Sequence, residues 1–514
     1  MTTSAHQPYG DEEEYLAVAE NLLTQGTLAI TRIEPGADGQ PRSTPTYSKF
    51  PLGQSLLILP FAALELAARA ILPSGLSFLP TMIINALPAL ESAAVCALLY
   101  LLTQLIGSFQ PELRLSQRTA LILTLLAGIA TQLWPASRTL FADISVALLL
   151  TFSIYALVRF AHTSAGTSWL IVAAAAAAIM VLCKNLFILA CPALAIYAYW
   201  AIKSRKHGLS LLVIAIVPFL LVAGLQLWYN DLRYGSIWSS GYHEGRDEEF
   251  GFSTPLLVGL YGIFLSSGRS VFLYSAVCLL GLLGARDFFR HAKAESALIA
   301  GTALPMVLAY GKWWSWNGGW EWGARLYLFL IPLLILVSLP AWRWLDQPIA
   351  SLARRVRFCA LAILLTISIG IQILGLLIHP AAYWFIAARE VKLFDHSVHQ
   401  KGVWEIRDDM LLPHFVPEFS PVAAHAWLVW ATWRRDQLDD RALARGAPWS
   451  LLNAQWAPKN VRPYLGFDLW FLDNRPAGAL LLPLVALIIG LCVCGLRLRS
   501  VATLPRQPSS VRPG

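Results

Sequence analysis

The sequence predicts an all-α, polytopic membrane protein, and three observations carry that prediction. Hydrophobic residues make up 57% of the chain and charged residues only 14%, a balance outside the usual globular range. About eleven apolar runs follow one another along the chain, each near the roughly 20 residues that a helix needs to cross hydrocarbon. Basic residues recur in short clusters between those runs and not along one polar face with interleaved aromatics, so the net charge of +8 signals topology and no nucleic-acid partner. A single-anchor enzyme is excluded by the number of runs.

The runs lie near residues 80 to 106, 117 to 134, 139 to 160, 167 to 182, 186 to 202, 208 to 228, 265 to 285, 294 to 311, 325 to 342, 358 to 378 and 477 to 496. All are expected to be helices, because a spanning segment must satisfy its own backbone hydrogen bonds. Four basic clusters separate them: Lys203 with Arg205 and Lys206, Arg286 with Arg290 and Lys293, Arg343 with Arg354, Arg355 and Arg357, and Arg497 with Arg499. The positive-inside rule puts all four in the cytoplasm, and an even number of runs between them satisfies it. Residues 1 to 79, the acidic loop 229 to 264, the tryptophan-rich loop 312 to 324 and residues 379 to 476 then share the opposite face. Cys96, Cys183, Cys191, Cys278, Cys359, Cys492 and Cys494 all lie in or beside apolar runs without a CxxC pair, so neither a disulfide framework nor a zinc site is indicated. Residues 1 to 14 are polar and acidic and lack the apolar core of a signal peptide.

Domain organisation follows from this map. Residues 1–79 form an external acidic-motif loop with interfacial helices, 80–378 a transmembrane core, 379–476 a small external domain or cap, and 477–514 a last span with a basic cytoplasmic tail. Residues 52 to 72 are apolar enough to span, but they contain Gln54, Pro60, Glu65 and Arg69. Those side chains are expensive in mid-membrane, so this run is read as a helix lying along the outer surface.

The chemistry-bearing residues gather on the external side. Asp11, Glu12, Glu13, Glu14 and Tyr15 open a helix-like pattern; four acids at a helix start are also plain dipole capping. They precede Tyr47, Lys49, Phe50 and Pro51 and the interfacial run. Further along stand Arg138, Phe141 and Asp143 at the outer start of one span, Lys184 at the outer end of another, then Ser267, Gly268, Arg269 and Tyr274. Trp316, Gly318, Gly319, Trp322, Gly323 and Arg325 complete the set before an apolar run containing Pro332.

An Asp-Glu pair, a Tyr four residues after the Asp, and a Tyr-x-Lys-x-Pro stretch before an apolar helix together resemble the first external loop of the GT-C glycosyltransferases. The nearest branch holds the protein O-mannosyltransferases and the aminoarabinose transferase of lipid A. The resemblance spans about residues 9 to 340. It implies a GT-C-like bundle of about eleven transmembrane helices in this chain with external interfacial helices. That family carries a transmembrane helix before its Asp-Glu pair, whereas ten residues precede the pair here; either the natural chain begins further upstream, which is the expectation, or it lacks that helix.

What the resemblance implies is sugar transfer from a polyprenyl-phosphate donor to an acceptor hydroxyl on a lipid, glycan or protein, at the external or periplasmic face of a bacterial inner membrane. Such a reaction needs a base on the acceptor and cations on the leaving phosphate. By resemblance Asp11 is the base, Glu12 and Asp143 shape the acceptor or sugar site, Lys49 and Arg269 hold the phosphate, and Tyr15 and Tyr47 hydrogen-bond phosphate or sugar. Secondary candidates are Arg138, Lys184, His243, Glu244, Tyr274, Trp316 and Arg325. No metal or other cofactor is implied.

Simpler readings stand beside these. Asp143 and Arg138 are close enough for a local ion pair at a helix end, and Lys184 fits a snorkelling lysine. His243 and Glu244 fit a solvated acidic loop. The tryptophans and glycines of 313 to 323 suit an interfacial aromatic belt as well as a sugar-binding edge. Two other functions compete. A lipid or solute transporter predicts inverted repeats and broken mid-membrane helices, of which the sequence has no sign. A polysaccharide ligase or polymerase shares the external loop but not the Asp-Glu and Lys-Pro arrangement.

Overall fold

The computed structural model describes residues 10–35, 41–73, 78–163, 166–203, 208–242, 250–319, 321–346, 351–380, 383 and 413–434. The segment 477 to 496, most of the expected cap at 379 to 476, and His243 and Glu244 lie outside the described residues.

Helix α1 (Asp11–Gln25) starts after Gly10, whose φ of 59° turns the chain into it, and ends on Gly26 in the left-handed conformation. Its first turn carries Asp11, Glu12, Glu13 and Glu14, while Tyr15, Val18 and Ala19 are buried. A hairpin of β1 (Ala29–Pro35) and β2 (Pro41–Tyr47) follows, antiparallel, with Ala29 opposite Tyr47. It returns the chain to α2 (Gly53–Ile71).

Helix α2 has the length and apolarity of a span, yet it packs along α1. Arg69 near its end bonds Glu65 at 2.7 Å and reaches Glu20 of α1 at 3.9 Å.

Next come α3 (Phe78–Ile84), α4 (Ala86–Phe109), α5 (Gln117–Ile129), the short α6 (Leu133–Ala136), α7 (Ala142–His162), α8 (Ser168–Cys183), α9 (Cys191–Ile202) and α10 (Gly208–Tyr234). They are followed by α11 (Leu256–Phe264), α12 (Val271–Tyr274), α13 (Leu279–His291), α14 (Lys293–Lys312), α15 (Leu330–Val337), α16 (Leu339–Trp342), α17 (Leu352–Leu377) and α18 (Pro421–Arg434). Among the described residues, 7 helices are long and apolar enough to cross a membrane. The all-α membrane class expected from the sequence is thus borne out, although the count of eleven continuous spans is not.

Three expected spans are broken; the run 117 to 134 is interrupted between α5 and α6. The run 265 to 285 is divided among a loop, α12, a 3-10 turn and α13, because Ser270 caps α12 by accepting from Leu273 N and Arg269 turns away from the helix path. The run 325 to 342 becomes a 3-10 turn, α15 and α16, with Pro340 at the start of α16. The pieces still pack tightly, since Gly281 and Gly284 let α13 approach the α15 backbone at Leu334 and Val337.

The main core runs through α4, α5, α7, α8, α14 and α15. Buried Ala173, Ala174, Ala176, Ala177 and Ala178 let α8 lie close against α7, the small-residue packing that lipid, offering no hydrophobic drive between helices, favours. Loops sort to two ends of the bundle. At one end His162 meets Glu295 at 2.7 Å, and Asp346 accepts from the Ser116 and Thr119 hydroxyls at the start of α5. Most of the residues singled out for chemistry lie at the other.

Candidate active site

The site is built on the start of α7. Glu12, fully buried, accepts a hydrogen bond from Leu140 N at 2.5 Å, and Gln54 donates to Leu140 O at 3.0 Å. One residue ahead of α7 is therefore gripped on both sides by the first turns of α1 and α2. That grip sets Asp11, one residue before Glu12, against the helix that carries Asp143.

Four charged side chains form a chain there. Lys184 Nζ lies 2.5 Å from Asp143 Oδ1, and Arg325 reaches Asp143 Oδ2 at 3.8 Å and Asp11 Oδ2 at 3.1 Å. The Arg325 guanidinium lies 4.0 Å from the centre of the Phe141 ring, a stack that favours a cation. Two acids and two bases offset one another, which makes burial of Asp143 at 3% exposure tolerable. Asp11 is the open member, its side chain 33% exposed. Lys184 is thus an ion-pair partner and not a snorkelling side chain, and the partner of Asp143 is not Arg138. Arg138 instead donates to Leu376 O at 2.9 Å.

Lys49 stands between β2 and α2, its Nζ 5.3 Å from the Phe50 ring centre and 5.9 Å from that of Tyr242. Ser48 Oγ donates to Glu14 Oε2 at 2.8 Å, tying this turn to α1. Tyr15 packs on Phe50 with centroids 5.1 Å apart. Burial first, and then the Asp11 charge, push its hydroxyl pKa well up, so it keeps its proton. Tyr47 is half-buried in a separate apolar cluster with Val18, Leu28 and Tyr229.

Arg269, to which the resemblance gives the donor phosphate, lies beneath the tryptophan-glycine loop. It is 1% exposed and donates to the carbonyls of Gly319, Glu321 and Gly323, the last at 2.7 Å. Gly318, Gly319 and Gly323 have φ of 75°, 79° and 68°, a left-handed backbone that glycine adopts without strain. Arg269 therefore shapes the tryptophan-glycine loop from beneath, while Arg325 is the arginine brought to Asp11. Tyr274 lies buried edge-on to Trp322, and Trp316 is buried against His414 and Phe415.

A cavity of about 60 Å³ opens beside the charge chain, lined in part by Arg138, Phe141, Asp143, Glu321, Trp322 and Arg325. Acids, cations and aromatic faces share this small space. Among the described residues, no three His, Cys, Asp or Glu side chains group closely enough to hold a metal ion.

Some supporting residues were missed at the sequence level. Gln54 counted only as a polar residue on an apolar helix, and Tyr242 carried no local signal. Arg233, which binds the Lys49 turn, was legible as a cation at the end of an apolar run.

Residues 79–225 match the family described as dolichyl-phosphate-mannose-protein mannosyltransferase. The match bears out, over that stretch, the kinship read from the motifs. Comparison with curated protein sequences gives no match. Among solved structures, the chain is similar to ArnT from Cupriavidus metallidurans in the apo state, at 12% identity and a TM-score of 0.46, over 88% of this chain and 71% of that one. The same protein bound to undecaprenyl phosphate gives 12% identity and 0.42, over 87% and 72%. The archaeal oligosaccharyltransferase AglB from Archaeoglobus fulgidus, in complex with an inhibitory peptide and a dolichol-phosphate, gives 11% identity and 0.39, over 90% and 57%.

Proposed function

We propose that this chain, with its mannosyltransferase-family stretch at residues 79–225, is a membrane glycosyltransferase that moves a sugar from a polyprenyl-phosphate donor to an acceptor hydroxyl at the non-cytoplasmic face. The observation that carries the reading is the meeting of Asp11, Asp143, Lys184 and Arg325, drawn from four distant parts of the chain, beside one cavity.

Each group has a task in that reaction. The acceptor hydroxyl approaches Asp11, the exposed end of the charge chain, and gives it a proton as its oxygen bonds to the sugar's anomeric carbon. The bond from that carbon to the phosphate oxygen breaks, and the phosphate leaves with the electron pair. Lys49 meets the phosphate as a compact charge, and Arg325 stabilises negative charge while holding Asp11 in place. Phe141 and Trp322 offer flat faces to the sugar ring. The polyprenyl tail stays in the bilayer, since withdrawing it costs about 0.8 kcal/mol per CH₂.

The test is a comparison of polyprenyl-phosphate sugars and envelope glycans, by mass spectrometry, in cells with and without the gene. A lipid-linked sugar should accumulate, and one glycan or glycolipid product should disappear. Complementation by Asp11→Asn should not restore that product. Unchanged pools together with movement of a solute in proteoliposomes would instead favour a carrier.

A further inference from the structure

We infer that Arg233, at the end of α10, is a positioning residue that fixes the Lys49 ammonium for the donor phosphate, with Gly241 as the point where its loop closes on Lys49. The inference rests on the reading of Lys49 as the phosphate-binding cation.

The geometry is that of a clamp. Arg233 Nη1 donates to Ser48 O at 2.8 Å and to Phe50 O at 3.1 Å, the carbonyls on either side of Lys49. Its other nitrogens are committed at the base: Nη2 donates to Asn230 Oδ1 at 2.8 Å and Nε to Tyr229 O at 3.3 Å. The guanidinium lies 4.0 Å from the Tyr229 ring centre and 4.8 Å from that of Tyr234. A cation so surrounded holds backbone and leaves anion binding to its neighbour. Lysine in its place could not keep the planar fork on Asn230 and the two carbonyls together.

The same helix end organises the loop above. Asn230 Nδ2 donates to Ile237 O at 3.0 Å, closing residues 235–242 back on α10 after Gly235, whose φ is 64°. Gly241 then lies directly on the Lys49 backbone, where any Cβ would run into it. That contact brings the Tyr242 ring to Lys49 and to Trp313, 6.0 Å away. From below, Glu14 and Ser48 brace the turn. Lys49 is a flexible four-carbon side chain, so fixing its backbone and flanking rings is what restricts where the ammonium points. Small misplacements of such a group are costly, on the order of 100-fold per ångström at a reacting centre.

The experiment uses the full chain in nanodiscs, with undecaprenyl phosphate and undecaprenol as probes; the ratio of their affinities reads phosphate recognition apart from tail binding. Arg233→Gln should lower that ratio roughly tenfold or more, with undecaprenol affinity and melting temperature retained, and Arg233→Lys should recover part of it. In a Lys49→Met background, Arg233→Gln should change nothing further, because a residue acting through Lys49 has no effect without it. Full additivity of the two losses would overturn the inference. A phosphate ratio unaffected by Arg233→Gln but lowered by Lys49→Met would sink it while sparing the reading of Lys49. A ratio untouched by Lys49→Met would remove that reading, and the inference with it. If Arg233→Gln does not fold, Gly241→Ala takes its place in the same cycle, with the same outcomes.

Discussion

Arg325 lies 3.1 Å from Asp11, a residue 314 positions away in the chain, and 3.8 Å from Asp143. One cation thus joins the first helix, the start of α7 and the end of the tryptophan-glycine loop. Removing it leaves two acids facing one lysine.

Substituting Arg325 should therefore damage both fold and transfer. Arg325→Gln leaves Asp143 buried with Lys184 alone, and loss of one partner from a buried charge network costs about 3 to 5 kcal/mol. The expected result is a clear drop in the detergent melting temperature and no detectable product. Arg325→Lys should retain more stability than activity, because an ammonium cannot serve both carboxylates as a fork does.

Asp11 differs because it is a third exposed. Asp11→Asn should leave the stability within about 1 kcal/mol of the parent while transfer falls by roughly 100-fold or more, as for loss of a positioned base. Equal turnover by parent and variant would remove Asp11 from the base role.

Acid should weaken the region around Trp322. His425 is 1% exposed, touches Trp322 and has its pKa lowered by burial from 6.5 to about 4; burial, and then the Arg269 charge, hold His414 well below the ordinary histidine range. The unfolded chain therefore takes up protons that the folded one refuses. Stability is fully present above about pH 6.5 and is lost as pH falls toward 4, by up to about 3 kcal/mol for His425 alone. Thermal melts between these pH values should show the slope, and His425→Phe should flatten part of it.

Gly323 has φ of 68°, and a Cβ there would meet the Gln132 amide and the Tyr274 ring. Gly323→Ala should loosen the loop by about 1 to 3 kcal/mol. Faster proteolysis within residues 313 to 325, with the rest of the chain still protected, is the expected signature.

The run at 52 to 72 shows how far pattern reading reaches. Its hydropathy suits a span, and its polar residues find partners that no pattern names: Gln54 donates to Leu140 O, and Arg69 bonds Glu65 and reaches Glu20. The broken run at 265 to 285 shows the converse. Its apolar content reads as one helix, and nothing local says that Arg269 will leave the helix path to bind carbonyls some 50 residues later.

The amino-acid sequence alone determined the membrane class, the alternation of loops and the set of charged residues on one side, because the cost of polar groups in hydrocarbon acts on each segment separately. Only the tertiary structure decided which cation meets which acid: Arg325 and not Arg269 at Asp11, Lys184 and not Arg138 at Asp143. Those pairings depend on helices from distant parts of the chain packing side by side, and their strength falls steeply with a separation that no linear spacing records.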